Sequence, residues 1–357
     1  MQARLSIALA LTLGSAFVIS AGAQAATDPA RAVVVAAAAK LEAGYVYPAR
    51  AHAAAETLRH NAESGAYDGL QQTALAQRVT SDLGAILHDK HVRLRYSEDP
   101  LPPEKAGSDQ PSPEQAAAGA RAARENGYGL GRVAHLPGNV GYLDLRGFSG
   151  AEQTSTVLDA MANSVAWSHA VVLDLRRNHG GSPDAVARLL SHFLAPKTHV
   201  NDFVARGDGE PPVAESTYTS EVPGPRIEAP LYVLISDETF SGGEECAYDV
   251  QALKRGMLIG NVTGGGANPG GSRRIDDHYA IFVPELRARN PITRTNWEGT
   301  GVKPDIAVPR DRALITAYGM ALDARLRETS LSAGQRTALT GLRAKVDGMN
   351  DAAILDL

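Results

Sequence analysis

Apolar residues recur along this chain with two periods, and the change from one to the other divides it. Over 33–41, 49–60 and 70–87 they return every three or four positions on an alanine-rich background, which predicts three helices, with Gly44 and Pro48 breaking the first from the second. Residues 92–96 then alternate, so His91 falls at a helix-to-strand junction, where a side chain can be aimed into a cleft. Short apolar runs at 140–145, 170–175, 231–235, 257–260 and 280–283 predict strands. Helical patterns at 152–162, 183–194 and 242–254 lie between them, as in βαβ units. Two more helices are predicted over 312–328 and 335–349. Residues 98–127 are proline-rich with scattered charge and read as a linker, and 197–230, with little period, reads as a long loop. The expected organisation is a small all-helical domain over 26–97, the linker, an α/β core over 128–310 and C-terminal helices over 311–357.

Composition narrows the function classes. The 357 residues, 44% of them hydrophobic and with a net charge of -5, suit a soluble chain of about two domains. No basic stripe is present, which argues against nucleic acid as a partner. Met1 to Arg4 is cationic, 5–21 is apolar, and Ala23-Gln24-Ala25 follows. That is the layout of a signal peptide spanning 1–25, so the mature chain is expected to be exported, to the periplasm or the extracellular space, with no membrane span. Cys246 is the sole cysteine, which excludes an intramolecular disulfide and reads as a buried helix residue.

Three stretches can carry chemistry. Thr239-Phe-Ser241-Gly242-Gly243-Glu244-Glu245 follows the 231–235 strand and opens a helix. A serine there is either a helix cap or a nucleophile beside amides that face a developing negative charge. Asp174-Leu-Arg-Arg-Asn-His179-Gly180-Gly181 lies at another strand-to-helix turn. Its glycines either only turn the chain or also present amides as an oxyanion hole. It is not a phosphate loop, since neither a dinucleotide fingerprint nor a Walker pattern is present. Glu298, beside Trp297 in a glycine-bounded loop, is either solvated or able to orient a histidine or a water. His88 and His91 lack a third ligand at sensible spacing, so no metal or other cofactor is expected.

Taken together, Leu173 to Gly181, Thr239 to Glu244, Ile259 to Gly265 and Glu298 to Ile306 resemble the C-terminal-processing and tricorn-type serine peptidases. Asp89-Lys-His-Val-Arg-Leu94 is similar to the N-terminal helical region of the branch that contains interphotoreceptor retinoid-binding protein. The resemblance implies a crotonase-like ββα-repeat core, with Ser241 as nucleophile and the Gly181 and Gly242 amides as oxyanion donors. Processing peptidases place a lysine base where this chain reads Gly264-Gly265-Gly266, so the resemblance points instead to the tricorn-type pair, His91 as base and Glu298 as orienter. Lys90 stands where the tricorn type has a serine, and His179 competes for the role of base. The implied activity is hydrolysis of peptides or unfolded protein segments. A non-catalytic module for apolar ligands and an acyl hydrolase of esters are the alternatives.

Overall fold

The computed structural model describes residues 28–103 and 113–357, so the expected signal segment, 1–25, lies outside the described residues. Three helices open the chain. Asp28 accepts from the Ala30 N–H at the head of α1 (Pro29–Gly44), whose first-turn proline needs no donor partner. α2 (Pro48–Glu63) packs against it, and α3 (Gln72–Leu87) ends at His88, which takes the left-handed conformation at φ 52°. The chain then turns through Asp89 and His91 into β1 (Arg93–Tyr96).

Within the expected linker lies a helix, α4 (Pro113–Glu125), which the prolines upstream of its alanine-rich body concealed. The core follows as β2 (Leu130–Leu136), β3 (Val140–Leu145), α5 (Thr154–Ser164), β4 (Ala170–Asp174), α6 (Pro183–Ser191), β5 (His199–Val204) and β6 (Val213–Tyr218). It continues through β7 (Leu231–Ile235), α7 (Gly242–Ala252), β8 (Met257–Gly260), β9 (Gly270–Arg274), β10 (Tyr279–Pro284), β11 (Arg287–Arg289) and β12 (Ile306–Ala307). Helices α8 (Ala313–Leu326), α9 (Ala333–Val346) and α10 (Asp351–Leu355) close it.

The central sheet has the order β12-β8-β7-β4-β3-β2, parallel except for the antiparallel β2 edge. Every residue of β3, β4 and β7 is buried, as expected of parallel strands covered on both faces. One face packs Leu143, Leu173 and Val233 against α5, α6 and α7; the other packs Tyr142, Val172 and Leu234 against α8 and α9. This is the α/β core preceded by N-terminal helices that the periodicity predicted.

The 197–230 stretch is not a continuous loop: β5 and β6 pair antiparallel within it, and β11 joins the other edge of β5. Asn201 and Asp202 are buried in β5, and β6 is mostly exposed, so neither strand carries an apolar run to read. The helical leader is tied into the core, because β1 pairs antiparallel with β10 and Ile281 and Val283 fill the leader's core beside Leu41 and Leu87. That pairing brings the turn after α3 to the end of the sheet where α7 begins.

Candidate active site

The turn after β7 is held before Ser241 is reached. Ser236 donates to the Arg176 carbonyl at 2.6 Å, Thr239 to the Leu175 carbonyl at 2.7 Å, and the Phe240 N–H to the Asn178 carbonyl at 2.9 Å. Between these anchors and α7, Ser241 adopts φ 53°, ψ -122°, a conformation that favours glycine. Its N–H donates to Glu244 at 2.9 Å, so the head of the helix is closed by a neighbouring carboxylate. Glu244 is fully buried and also accepts from Thr263, from the Gly265 N–H at 2.6 Å and from the Gly266 N–H at 2.8 Å. Burial raises its pKa, while these donors pull the other way.

The glycine turn after β4 is laced to the same place. Asn178 donates its amide to the Leu145 carbonyl at 2.9 Å and accepts from the Gly180 N–H at 2.9 Å. Gly180 and Gly181 have φ 91° and 136°, and a Cβ on Gly180 would lie 2.6 Å from the Ser241 Cβ. The missing side chains are therefore what lets the turn reach the serine. The N–H groups of Gly181 and Gly242 have no backbone or side-chain acceptor among the described residues, whereas that of Gly180 is taken by Asn178. Two uncommitted amides beside a partly exposed serine, one at a helix N-terminus, are the donors that a developing oxyanion needs.

His91 arrives from the leader and is only 5% exposed. Its ring packs on Phe240, centroids 4.6 Å apart, and stacks with Phe282 at 5.9 Å. Neither ring nitrogen has a hydrogen-bond partner among the described residues, so no bond joins it to Ser241. Asp89 faces the ring, Oδ1 3.8 Å from Nδ1. Asp89 is itself fixed by the Tyr45 hydroxyl at 3.1 Å, the Asn268 amide at 3.0 Å and the His91 N–H at 2.9 Å. Glu298 closes the group: its Oε2 accepts from the Ala267 N–H at 2.6 Å, and the neighbouring Trp297 donates to the Gly266 carbonyl at 2.8 Å. Asp89, His91 and Glu298 each bring one polar atom within 4.8 Å of the other two. Burial pushes the His91 pKa down to about 4, with Asp89 opposing. Burial, with the Asp89 charge second, pushes Glu298 up to about 8.

Residues 139–308, which hold both turns and the Glu298 loop, match the model of Peptidase family S41. The chain carries a peptidase family S41 domain. It is 28% identical over 172 residues, 48% of this chain and 40% of the relative, to a carboxyl-terminal-processing protease of Picosynechococcus sp.. To the chloroplastic carboxyl-terminal-processing peptidase 1 of Arabidopsis thaliana it is 26% identical over 178 residues, 50% of this chain and 35% of the relative. The chain thus spans two fifths or less of the length of these curated relatives. Two solved structures share the fold. One is a photosystem II D1 C-terminal processing protease, with TM-score 0.51 and 15% identity, covering 79% of this chain and 94% of that one. The other is a candidate peptidase from Parabacteroides merdae, with TM-score 0.58 and 19% identity, covering 82% and 96%.

Within the matched stretch the structure brings Ser241, Gly181 and Gly242 into close approach, and it gathers Glu298 with Asp89 and His91 of the leader beside Phe240. His179 is exposed and contributes only its N–H, to the Arg146 carbonyl at 3.1 Å. His88 and Lys254 are exposed, and Lys90 reaches the Gly264 carbonyl at 2.6 Å. Cys246 is buried, which raises its thiol pKa. The sequence reading singled out neither Asp89 nor Glu244 as a site residue. Asp89 stands two residues before His91, and Glu244 three after Ser241 at capping-box spacing, and those spacings were the available signals.

Proposed function

We propose that this chain is an exported serine-type peptidase that hydrolyses peptide bonds in peptides or unfolded protein segments. Ser241 attacks the carbonyl carbon, His91 takes the hydroxyl proton, and the Gly181 and Gly242 amides hold the oxyanion. The imidazolium then protonates the leaving amine, and water releases the acyl group by the same steps in reverse. Asp89, whose carboxylate faces Nδ1, orients the imidazole and favours its charged form as it develops. Glu298, raised to about 8 and so protonated at neutral pH, acts as an orienter of the site without supplying charge. The observation that carries this reading is a buried histidine with both nitrogens uncommitted, packed on the residue next to a strained serine that two free amides flank. With its pKa held near 4, His91 is neutral at neutral pH, the form a base needs. The hydrogen bond absent in the ligand-free state is one that forms as substrate draws the two side chains together.

Export is supported by the cationic and apolar start of the chain. No helix among the described residues is long and apolar enough to cross a membrane. The deciding experiment treats the mature protein with a fluorophosphonate probe and with denatured casein, beside Ser241→Ala. Labelling and cleavage are expected in the wild type and absent in the variant. A folded wild type that does neither would end the peptidase reading.

A further inference from the structure

Asp89, His91 and Glu298 come from two distant parts of the chain, the turn after α3 and the loop before β12, and meet with three potential ligand atoms within 4.8 Å of one another. A tetrahedral zinc with bonds of about 2.0–2.1 Å sets its ligand atoms roughly 3.4 Å apart, so modest side-chain rotation closes the set. Both His91 nitrogens and Glu298 Oε1 are buried without a partner among the described residues. These buried polar atoms are uncommitted within the chain and so open to a bound species. Asp89 is held by Tyr45 and Asn268, the kind of outer partner that fixes a metal-binding carboxylate. Asn268 Oδ1 is also buried and without a hydrogen-bond partner among the described residues.

We propose that Asp89, His91 and Glu298 bind one zinc-class divalent cation, and that its binding switches the peptidase off. One imidazole nitrogen with two carboxylate oxygens is a donor set that zinc accepts, and a water completes the tetrahedron. The switch follows from tautomerism and rests on the proposed peptidase function. Nδ1 is the nitrogen that faces Asp89, so a cation there leaves the ring proton on Nε2. Nε2 then has no lone pair to take the Ser241 proton, and the base is lost without any movement of the nucleophile.

The test uses the full mature chain stripped of metal with a chelator, with Co²⁺ as the probe. One equivalent is expected to bind with a visible d–d band that Zn²⁺ displaces. Ser241→Ala keeps the band, and Glu298→Gln and Asp89→Asn each weaken binding by at least about tenfold. Circular dichroism establishes that the variants are folded, and Glu298→Gln retains an oxygen for the Ala267 N–H if Asp89→Asn unfolds. No band in the folded wild type, or unchanged affinity in Glu298→Gln, overturns the site. In the activity arm Zn²⁺ stops casein cleavage at the occupancy the spectrum reports, and a chelator restores it. Cleavage that continues with the site filled overturns the switch. The band is read without turnover, so the site is decided even if the peptidase reading fails.

Discussion

The His91 imidazole rests on the Phe240 ring, centroids 4.6 Å apart, so a residue of the helical leader touches the chain neighbour of Ser241. Gly266 backs this contact: a Cβ there would lie 2.3 Å from Phe240 Cζ and 2.7 Å from His91 Cε1. Gly266→Ala must therefore push one ring or both. It is expected to lower kcat/KM at least tenfold and to cost about 1–3 kcal/mol of stability, as overpacking does. Casein kinetics and a denaturant titration test it, and unchanged kinetics would show that the stacking does not position the base.

The depressed pKa of His91 sets the acid limit of activity. If the neutral imidazole is the base, the acidic limb of kcat/KM falls near pH 4, not at the ordinary value of 6.5. The same shift has a stability consequence. The folded chain resists protonating His91 while the unfolded chain does not, so this contribution is complete above pH 6.5 and is lost as pH falls toward 4. A pH–rate profile with its acidic inflection at the free-histidine value would contradict the burial argument.

These two residues also mark how far the sequence carried. The strands at 140–145, 231–235 and 257–260 were legible to the residue, because a parallel strand buried on both faces must be an apolar run. The serine and glycine turns were legible as turns, since glycine at positive φ leaves a plain mark. What the sequence hid lay in polar or solvent-facing segments. β5 buries Asn201 and Asp202, so its period is masked, and Asp89 binds through partners at Tyr45 and Asn268 that no local spacing reveals. The absence of a lysine base also gains a physical reason. Gly265 sits at φ 82°, with the Gly299 to Gly301 backbone within 3.1–3.3 Å of its would-be Cβ, so a lysine there would be strained.

Behind the serine, Glu245 and Asp249 are both buried on α7 one turn apart, and Glu245 Oε1 and Asp249 Oδ2 lack partners among the described residues. Burial raises both, Glu245 to about 8. The sign is that of a raised acid: the contribution of Glu245 is complete below pH 4.5 and is lost as pH rises toward 8, because only the unfolded chain then ionises freely. Glu245→Gln, always neutral, is expected to flatten the fall of Tm over that interval and to leave the variant more stable than the wild type at its alkaline end. Parallel Tm–pH curves for the two proteins would sink the assignment.

The backbone of Ser241 yields the sharpest test, because strain and chemistry separate there. At φ 53°, ψ -122° a side chain is tolerated only because Thr239, Phe240 and the Glu244 carboxylate hold the turn on either side. Ser241→Ala removes the hydroxyl and keeps the strain. Ser241→Gly removes both, and the relief, about 1–3 kcal/mol, exceeds the roughly 0.5–1 kcal/mol that glycine's extra chain entropy costs. Both variants are expected to be inert toward casein and fluorophosphonate, with Ser241→Gly about 1 kcal/mol the more stable in denaturant titration. If the glycine variant were the weaker, the turn would not be storing strain, and the serine's conformation would have to be set by its side-chain contacts instead. Higher stability with complete loss of activity is the pattern of a site that keeps an unfavourable backbone in order to expose a hydroxyl.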